Sequence, residues 1–186
     1  MYQSNISRIS DVVHTWVNAQ DGLFPEGAFE AAVQQDGEPL FVARATIEGA
    51  HVIGTLNPKL SFAQLPYGGN GQEMNRYEVL VFNSESPPVE WVAAQNGDLP
   101  EGALLAGREA NGQSLYVVKA SVANQVLIGK LNPSHGKAYV PHNGRELVVT
   151  SYEVLVSNSC EVPVSNSATG PTSAAASGTG APPATG

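Results

Sequence analysis

Lys130 stands in the stretch LIGKLNPSHGKAYVPHNG, and a matching stretch earlier in the chain, VIGTLNPKLSFAQLPYGG, carries Thr55 in its place. An ammonium in one copy and a hydroxyl in the other is a difference in chemistry, because the first donates charge-assisted hydrogen bonds and the second does not. The remaining reactive residue types form no recognisable set. His14, His51, His135 and His142 have neither the i, i+2 nor the i, i+4 spacing of a metal-ligand pair, and the single cysteine, Cys160, makes no thiolate site, so no metal is expected. The sequence contains no Gly-x-Ser-x-Gly elbow and no matched acids in equivalent contexts for glycoside hydrolysis. The run Gly68-Gly69-Asn70-Gly71 follows Pro66-Tyr67 in a hairpin turn, unlike a phosphate loop, which opens a helix. These features predict a protein that is not an enzyme and needs no cofactor.

The elements that must position Lys130 come in two copies. Placing Trp16 on Trp91 keeps an offset of seventy-five residues as far as Val81 on Val156, without insertion or deletion. WVNAQDGLFPEGA answers WVAAQNGDLPEGA, IGTLNP answers IGKLNP, and YEVLV recurs unchanged. A duplication of this kind predicts two units of one fold, related by a pseudo-twofold axis. Within a unit the apolar period is two. Leu40 to Ala45 and Leu115 to Ala120 read as strands, each after a turn dipeptide, Asp36-Gly37 or Asn111-Gly112, and so do Tyr77 to Val81 and Tyr152 to Val156. Prolines 25, 39, 58, 66, 100, 133 and 141 leave few windows for a helix. The expected fold class is all-β: two tandem pseudo-symmetric antiparallel units packed as one compact body, with about four to six strands each and strand exchange left open. Ile6 to Val17 has a weak helical alternative, and a strand is preferred there. Trp16, Trp91, Tyr77 and Tyr152 occupy equivalent positions and are expected to pack rather than to bind.

The first unit with its N-terminal strand is expected over residues 1–83 and the second over 84–162. Residues 163–186 are almost wholly Pro, Ser, Ala, Thr and Gly and are expected to form a disordered tail, because such a segment cannot bury enough to offset its ordering entropy. A net charge of −8 and the lack of any basic window argue against nucleic acid and anionic membrane as partners. No secretory signal, no apolar span and one cysteine predict a cytoplasmic protein without membrane insertion, though unconventional secretion stays open. Asn5-Ile6-Ser7 matches a glycosylation acceptor and is given no weight in that setting.

Together the blocks resemble the DM-nine repeat family, found as tandem pairs in mannose-binding lectins and in the lectin part of natterin-like proteins. The resemblance rests on Trp91, Pro100-x-Gly102-Ala103, Gly107 with Asn111-Gly112, Leu115-Tyr116-Val117 followed by a base and Ala120, Ile128-Gly129-Lys130, Tyr139-Val140-Pro141 and Tyr152-Glu153-Val154-Leu155. It covers about residues 14 to 158, in both copies. What it implies is a non-enzymatic lectin for mannose-containing glycans or glycoproteins, of the kind used in innate immunity, with a homodimer left open. A stress- or defence-responsive interaction module with lapsed sugar binding is the alternative.

The family's sugar contacts rest on an acidic turn residue and a lysine twenty-one positions later, which here are Glu109 and Lys130. Asn111 of the same turn joins them in the implied carbohydrate site, as do Tyr139 and His142, whose rings could lie against a sugar or donate to a hydroxyl. Tyr67, in the equivalent turn of the first copy, could act in the same way. In that copy the charged pair becomes Gln34 and Thr55, a degenerate second site, with Lys59 as a conceivable substitute for the missing ammonium.

Overall fold

The computed structural model describes residues 14–158, and every element in that span is β-strand or turn. Cys160, the tail from Pro163 and most of the Ile6 to Val17 segment lie outside the described residues. Each copy yields seven strands, more than the four to six expected. The first contributes β1 (Thr15–Gln20), β2 (Glu30–Val33), β3 (Pro39–Ile47), β4 (Ala50–Leu56), β5 (Ala63–Tyr67), β6 (Asn70–Met74) and β7 (Arg76–Val81). The second repeats them as β8 (Val89–Gln95), β9 (Leu105–Arg108), β10 (Ser114–Val122), β11 (Gln125–Asn132), β12 (Lys137–His142), β13 (Arg145–Val149) and β14 (Ser151–Ser157). The uncounted strands are short, and some of them add a contact with the other copy to the ladder they make within their own. β9 bonds to β4, and β6 meets β13. A reading of local windows cannot register that support.

All pairings are antiparallel, and the order along the sheet is β1-β7-β3-β4-β5-β6-β13-β12-β11-β10-β14-β8. This sequence of strands is unchanged when the copies are exchanged and the order is reversed. Along this order the two halves meet at the register pair Arg145 with Asn70, and these residues are themselves seventy-five apart. The pseudo-twofold axis therefore passes through that pair. β9, bonded to both β10 and β4, closes β4-β5-β6-β13-β12-β11-β10-β9 into an eight-stranded ring. β1 and β8 stay outside the ring at the two ends of the sheet.

Alternation along the strands sorts side chains into three cores. Val42, Ile53 and Leu80 meet Val117, Ile128 and Leu155, their partners by duplication, in one core shared by both copies. On β3, the neighbours of Val42 face the other way, so Phe41, Ala43 and Ala45 join Val52, Leu65 and Tyr77 in a core private to the first copy. Val118, Ala120, Leu127, Val140 and Tyr152 form the corresponding core of the second. The tryptophans pack as the duplication predicts. The Arg44 guanidinium lies 4.2 Å over Trp16 and pairs with Glu78 at 2.7 Å, while Lys119 lies 4.5 Å over Trp91 and pairs with Glu153 at 3.2 Å.

Candidate functional site

Lys130 is delivered by β11 opposite Tyr139 of β12. The glycine before it allows that approach: a Cβ on Gly129 would strike the Tyr139 carbonyl oxygen, so any side chain there would drive β12 away. Gly54 stands in the same relation to the Gln64 carbonyl in the first copy, which explains the shared Ile-Gly step. Asn132, of the Leu-Asn-Pro step, is fully buried, and its side-chain oxygen accepts from the Ser134 amide at 3.0 Å, shaping the turn into β12.

The Lys130 side chain is 4 % exposed, and its Nζ lies 3.3 Å from Glu109 Oε1 and 3.5 Å from Glu146 Oε1. It also lies 5.4 Å from the ring centre of Tyr67 and 5.6 Å from that of Tyr139, so two aromatic faces share the ammonium with two carboxylates. Each carboxylate is anchored in turn. Glu109 sits in a turn closed by its own backbone, its amide donating to the Gln113 carbonyl at 2.8 Å, and it also receives the Asn132 amide at 3.4 Å. Glu146 Oε2 accepts from the Gly69 amide of the first copy at 2.8 Å.

These groups line a cavity of about 380 Å³, with His135 on one side and Glu48 and Gly68 of the first copy on the other. The Tyr67 hydroxyl donates to Glu48 Oε2 at 3.2 Å, and Tyr139 Oη lies 3.1 Å from His135 Nδ1. Burial, then the hydrogen bond to Glu48 and the charges of Glu48 and Glu109, hold the Tyr67 phenol above its ordinary pKa. For Tyr139 burial leads again, followed by Glu146 and Glu109. The cavity presents strong acceptors, one held donor and two ring faces to the same small volume. A larger groove of about 620 Å³ beside Asn18, Arg44 and Arg76 lacks this convergence, because Arg44 is taken up by Glu78 and the Ala106 carbonyl.

The duplication supplies a second cavity of about 250 Å³, lined by Gln34, Thr55, Leu60, Gln64, His142 and Asn143 among others. Every charged or ionisable group of the first cavity has a changed partner in the pseudo-symmetric arrangement: Glu109 becomes Gln34, Lys130 Thr55, Glu146 Gly71, Glu48 Ala123, His135 Leu60 and Tyr139 Gln64, while Tyr67 becomes His142. The polar groups left there serve the fold. Thr55 Oγ1 donates to the Ile128 carbonyl at 2.8 Å and accepts from the Ile128 amide at 2.7 Å. Gln34 donates to the Val126 carbonyl at 2.8 Å and accepts from the Val126 amide at 3.2 Å. In the other copy the backbone of β9 reaches β4 directly, pairing Arg108 with His51, since a Cβ at Gly107 would strike the His51 carbonyl. Ala32 occupies the position of Gly107, and β2 pairs with β3 alone. The Gln34 amide spans the remaining gap.

Glu109, Lys130 and Tyr139 are thus brought together, and Tyr67 joins them from the first copy. Two residues expected beside them are elsewhere. His142 lines the second cavity, because the pseudo-twofold sends the end of β12 across to the other unit's site. Asn111 is exposed, and its side-chain oxygen accepts from the Gln113 amide at 3.1 Å, fixing the turn that carries Glu109. Lys59 does not replace the missing ammonium. It pairs at the surface with Asp36 at 2.9 Å and Glu38 at 3.1 Å. Tyr139 lies within β12 rather than at a hairpin tip. Sequence reasoning missed Glu146, Glu48, Asn132 and His135. The signal that singled out Lys130, a charge present in one copy alone, also marks Glu146 against Gly71 and Glu48 against Ala123.

The fold resembles that of the nematode sperm cell motility protein MFP2B, whose crystal structure superposes with a TM-score of 0.57 at 15 % identity over 79 % of this chain and 48 % of that one. In sequence, the chain is 29 % identical over 137 residues to Natterin-4 of Thalassophryne nattereri, a match covering 74 % of this chain. It spans 32 % of that relative's length. A family model described as DM9 repeat matches residues 6–74, 57–149 and 116–181 in overlapping segments, and the chain belongs to the DM9 repeat family.

Proposed function

We propose that the chain is a non-enzymatic carbohydrate-binding protein that takes a mannose-type sugar in the Lys130 cavity. The observation that carries this reading is the buried Lys130 ammonium held between Glu109 and Glu146 and faced by two tyrosine rings. Vicinal hydroxyls are donor and acceptor at once. A carboxylate accepting from one beside an ammonium donating to its neighbour discriminates their stereochemistry, and a ring face covers the apolar side of the sugar. Single sites of this kind bind weakly, with dissociation constants of order millimolar, or about −4 kcal/mol. With the second cavity's Gln34 and Thr55 committed to Val126 and Ile128, one chain offers one sugar site, and cross-linking of glycans requires a second copy.

Binding of mannose and mannan oligosaccharides by calorimetry tests the reading, with Glu109→Gln and Lys130→Ala against His142→Ala. The wild type and His142→Ala bind with one site per chain, and the other two lose affinity at least about tenfold, as loss of a charge-assisted pair requires. Absence of any glycan binding, or equal binding by all four proteins, sinks it. Release of reducing ends from the glycan would overturn the non-enzymatic part. A second reading, an interaction module kept for its fold, is favoured by the use of Gln34 and Thr55 as links between the units. It predicts that no glycan is bound.

A further inference from the structure

The Lys130 cavity carries more negative charge than its own cation offsets. Glu48, Glu109 and Glu146 line it against one ammonium. Glu109 and Glu146 are both engaged with Lys130. Glu48 is different. It sits at the turn between β3 and β4 with φ of 49°, is exposed, and accepts a hydrogen bond from the Tyr67 hydroxyl, while no Lys, Arg or His of the described residues lies within ion-pair distance of it. Its counterpart in the duplication is Ala123, so this carboxylate belongs to one cavity alone. The two phenols on the cavity wall register the same field, since carboxylate charges add to burial in holding both protonated.

We propose that the site prefers sugars bearing a primary ammonium, that is, deacetylated hexosamines, with the ammonium at Glu48 and ring hydroxyls at Glu109 and Lys130. The inference rests on the sugar-binding reading and specifies its ligand class. An ammonium in place of a ring hydroxyl is nearly isosteric, and it replaces a neutral donor to the Glu48 carboxylate with a charged one, adding an ion pair to the hydrogen bond. A sugar carboxylate in the same place meets three negative groups and is disfavoured. A basic peptide could satisfy Glu48 equally well. It would leave the paired donor and acceptors deeper in the cavity without hydroxyl partners, and the sugar is therefore the occupant argued for.

The test measures the affinities of mannosamine and glucosamine against mannose and glucose at low salt, below and above the pH at which the amine loses its proton. Glucuronate and an oligolysine peptide serve as further probes, and Glu48→Gln and Lys59→Ala as variants. The amino sugars are expected to bind about fivefold tighter than the parent hexoses while protonated. That advantage disappears at the higher pH and in Glu48→Gln, persists in Lys59→Ala, and shrinks with added salt, while glucuronate binds most weakly. Equal affinities for amino and parent sugars, or an advantage surviving in Glu48→Gln, overturn the inference and leave the sugar-binding reading standing. Binding of oligolysine with no sugar bound, or no binding of any probe, overturns both.

Discussion

Thr55 grips Ile128 by both of its peptide groups, donating to the carbonyl at 2.8 Å and accepting from the amide at 2.7 Å. Ile128 is the duplicate of Ile53, two residues before Thr55 on its own strand. The clasp therefore ties the middle of one copy to the middle of the other. In the opposite direction the matching position is Lys130, which turns instead to Glu109 and Glu146. One copy has kept its side chains for holding the pair together, and the other has filled a cavity with charge.

Thr55→Val keeps the shape and removes the hydroxyl, leaving the Ile128 amide and carbonyl without that partner in the interior. The expected loss is about 1–3 kcal/mol, the cost of leaving a buried polar group unsatisfied. For a domain of this size it corresponds to a fall in Tm of roughly 2–12 °C. Thermal unfolding measures it. An unchanged Tm would mean that the clasp contributes nothing. Sugar affinity should not move, since Thr55 lines the uncharged cavity and is not among the residues lining the charged one.

Neither copy should fold alone. Val42, Ile53 and Leu80 bury themselves against Val117, Ile128 and Leu155, so separating the halves exposes the shared core and opens the eight-stranded ring. Fragments 14–83 and 84–158 are expected to give collapsed amide proton NMR spectra separately and to recover dispersion when mixed. A well-dispersed spectrum from either fragment by itself contradicts this.

How far the sequence speaks for the structure can be read residue by residue. Leu40 to Ala45 and Tyr152 to Val156 announce themselves because both are short runs rich in β-branched and aromatic residues, and both lie within longer strands, Pro39–Ile47 and Ser151–Ser157. Asn70–Met74 gives no such signal. It is mostly polar, and it becomes a strand through pairing with β5 and a single contact with β13. Glu109 and Lys130 were found through a family resemblance and a difference between copies. Tyr67 and Glu48 reach the same cavity from the other unit, a juxtaposition decided by the pseudo-twofold and invisible to spacing along the chain. The same axis removes His142, which lies close to Tyr139 in sequence and lines the other cavity.

Gly129→Ala should separate fold from site when set beside Gly54→Ala. Each added methyl meets a strand carbonyl, that of Tyr139 in one case and that of Gln64 in the other, and each should cost about 1–3 kcal/mol as a small-to-large change in packed surroundings. Displacement of β12 moves Tyr139 away from Lys130, whereas displacement of β5 at Gln64 disturbs the uncharged cavity. Both variants are expected to melt earlier, with the larger drop in sugar affinity for Gly129→Ala, since Gly54→Ala reaches the charged cavity only through Tyr67 at the far end of β5. Equal affinity losses would indicate that the charged cavity does not depend on the local approach of β12.

Alkaline pH should weaken the fold through its phenols. Tyr77 donates to the Leu23 carbonyl at 2.9 Å, and Tyr152 donates to the Asp98 carbonyl at 3.0 Å while accepting from the Gly97 amide at 2.9 Å. Burial is the largest cause holding both above the ordinary phenol pKa, with nearby Asp21 and Asp98 adding to it, and Tyr67 and Tyr139 are displaced in the same direction. Above the unfolded value of about 10, the folded chain therefore retains more protons than the unfolded one, and the free energy of unfolding must fall as pH rises. Below that value these groups impose no pH dependence. Urea midpoints measured from about pH 8 to 11 should be flat at first and then decline, in step with delayed phenolate absorbance in the folded protein. Tyr77→Phe removes one of the titrating groups and should make the decline shallower, although its lost bond to Leu23 lowers the plateau. Phenols titrating at their ordinary pKa in the folded protein, with flat midpoints throughout, would refute this account.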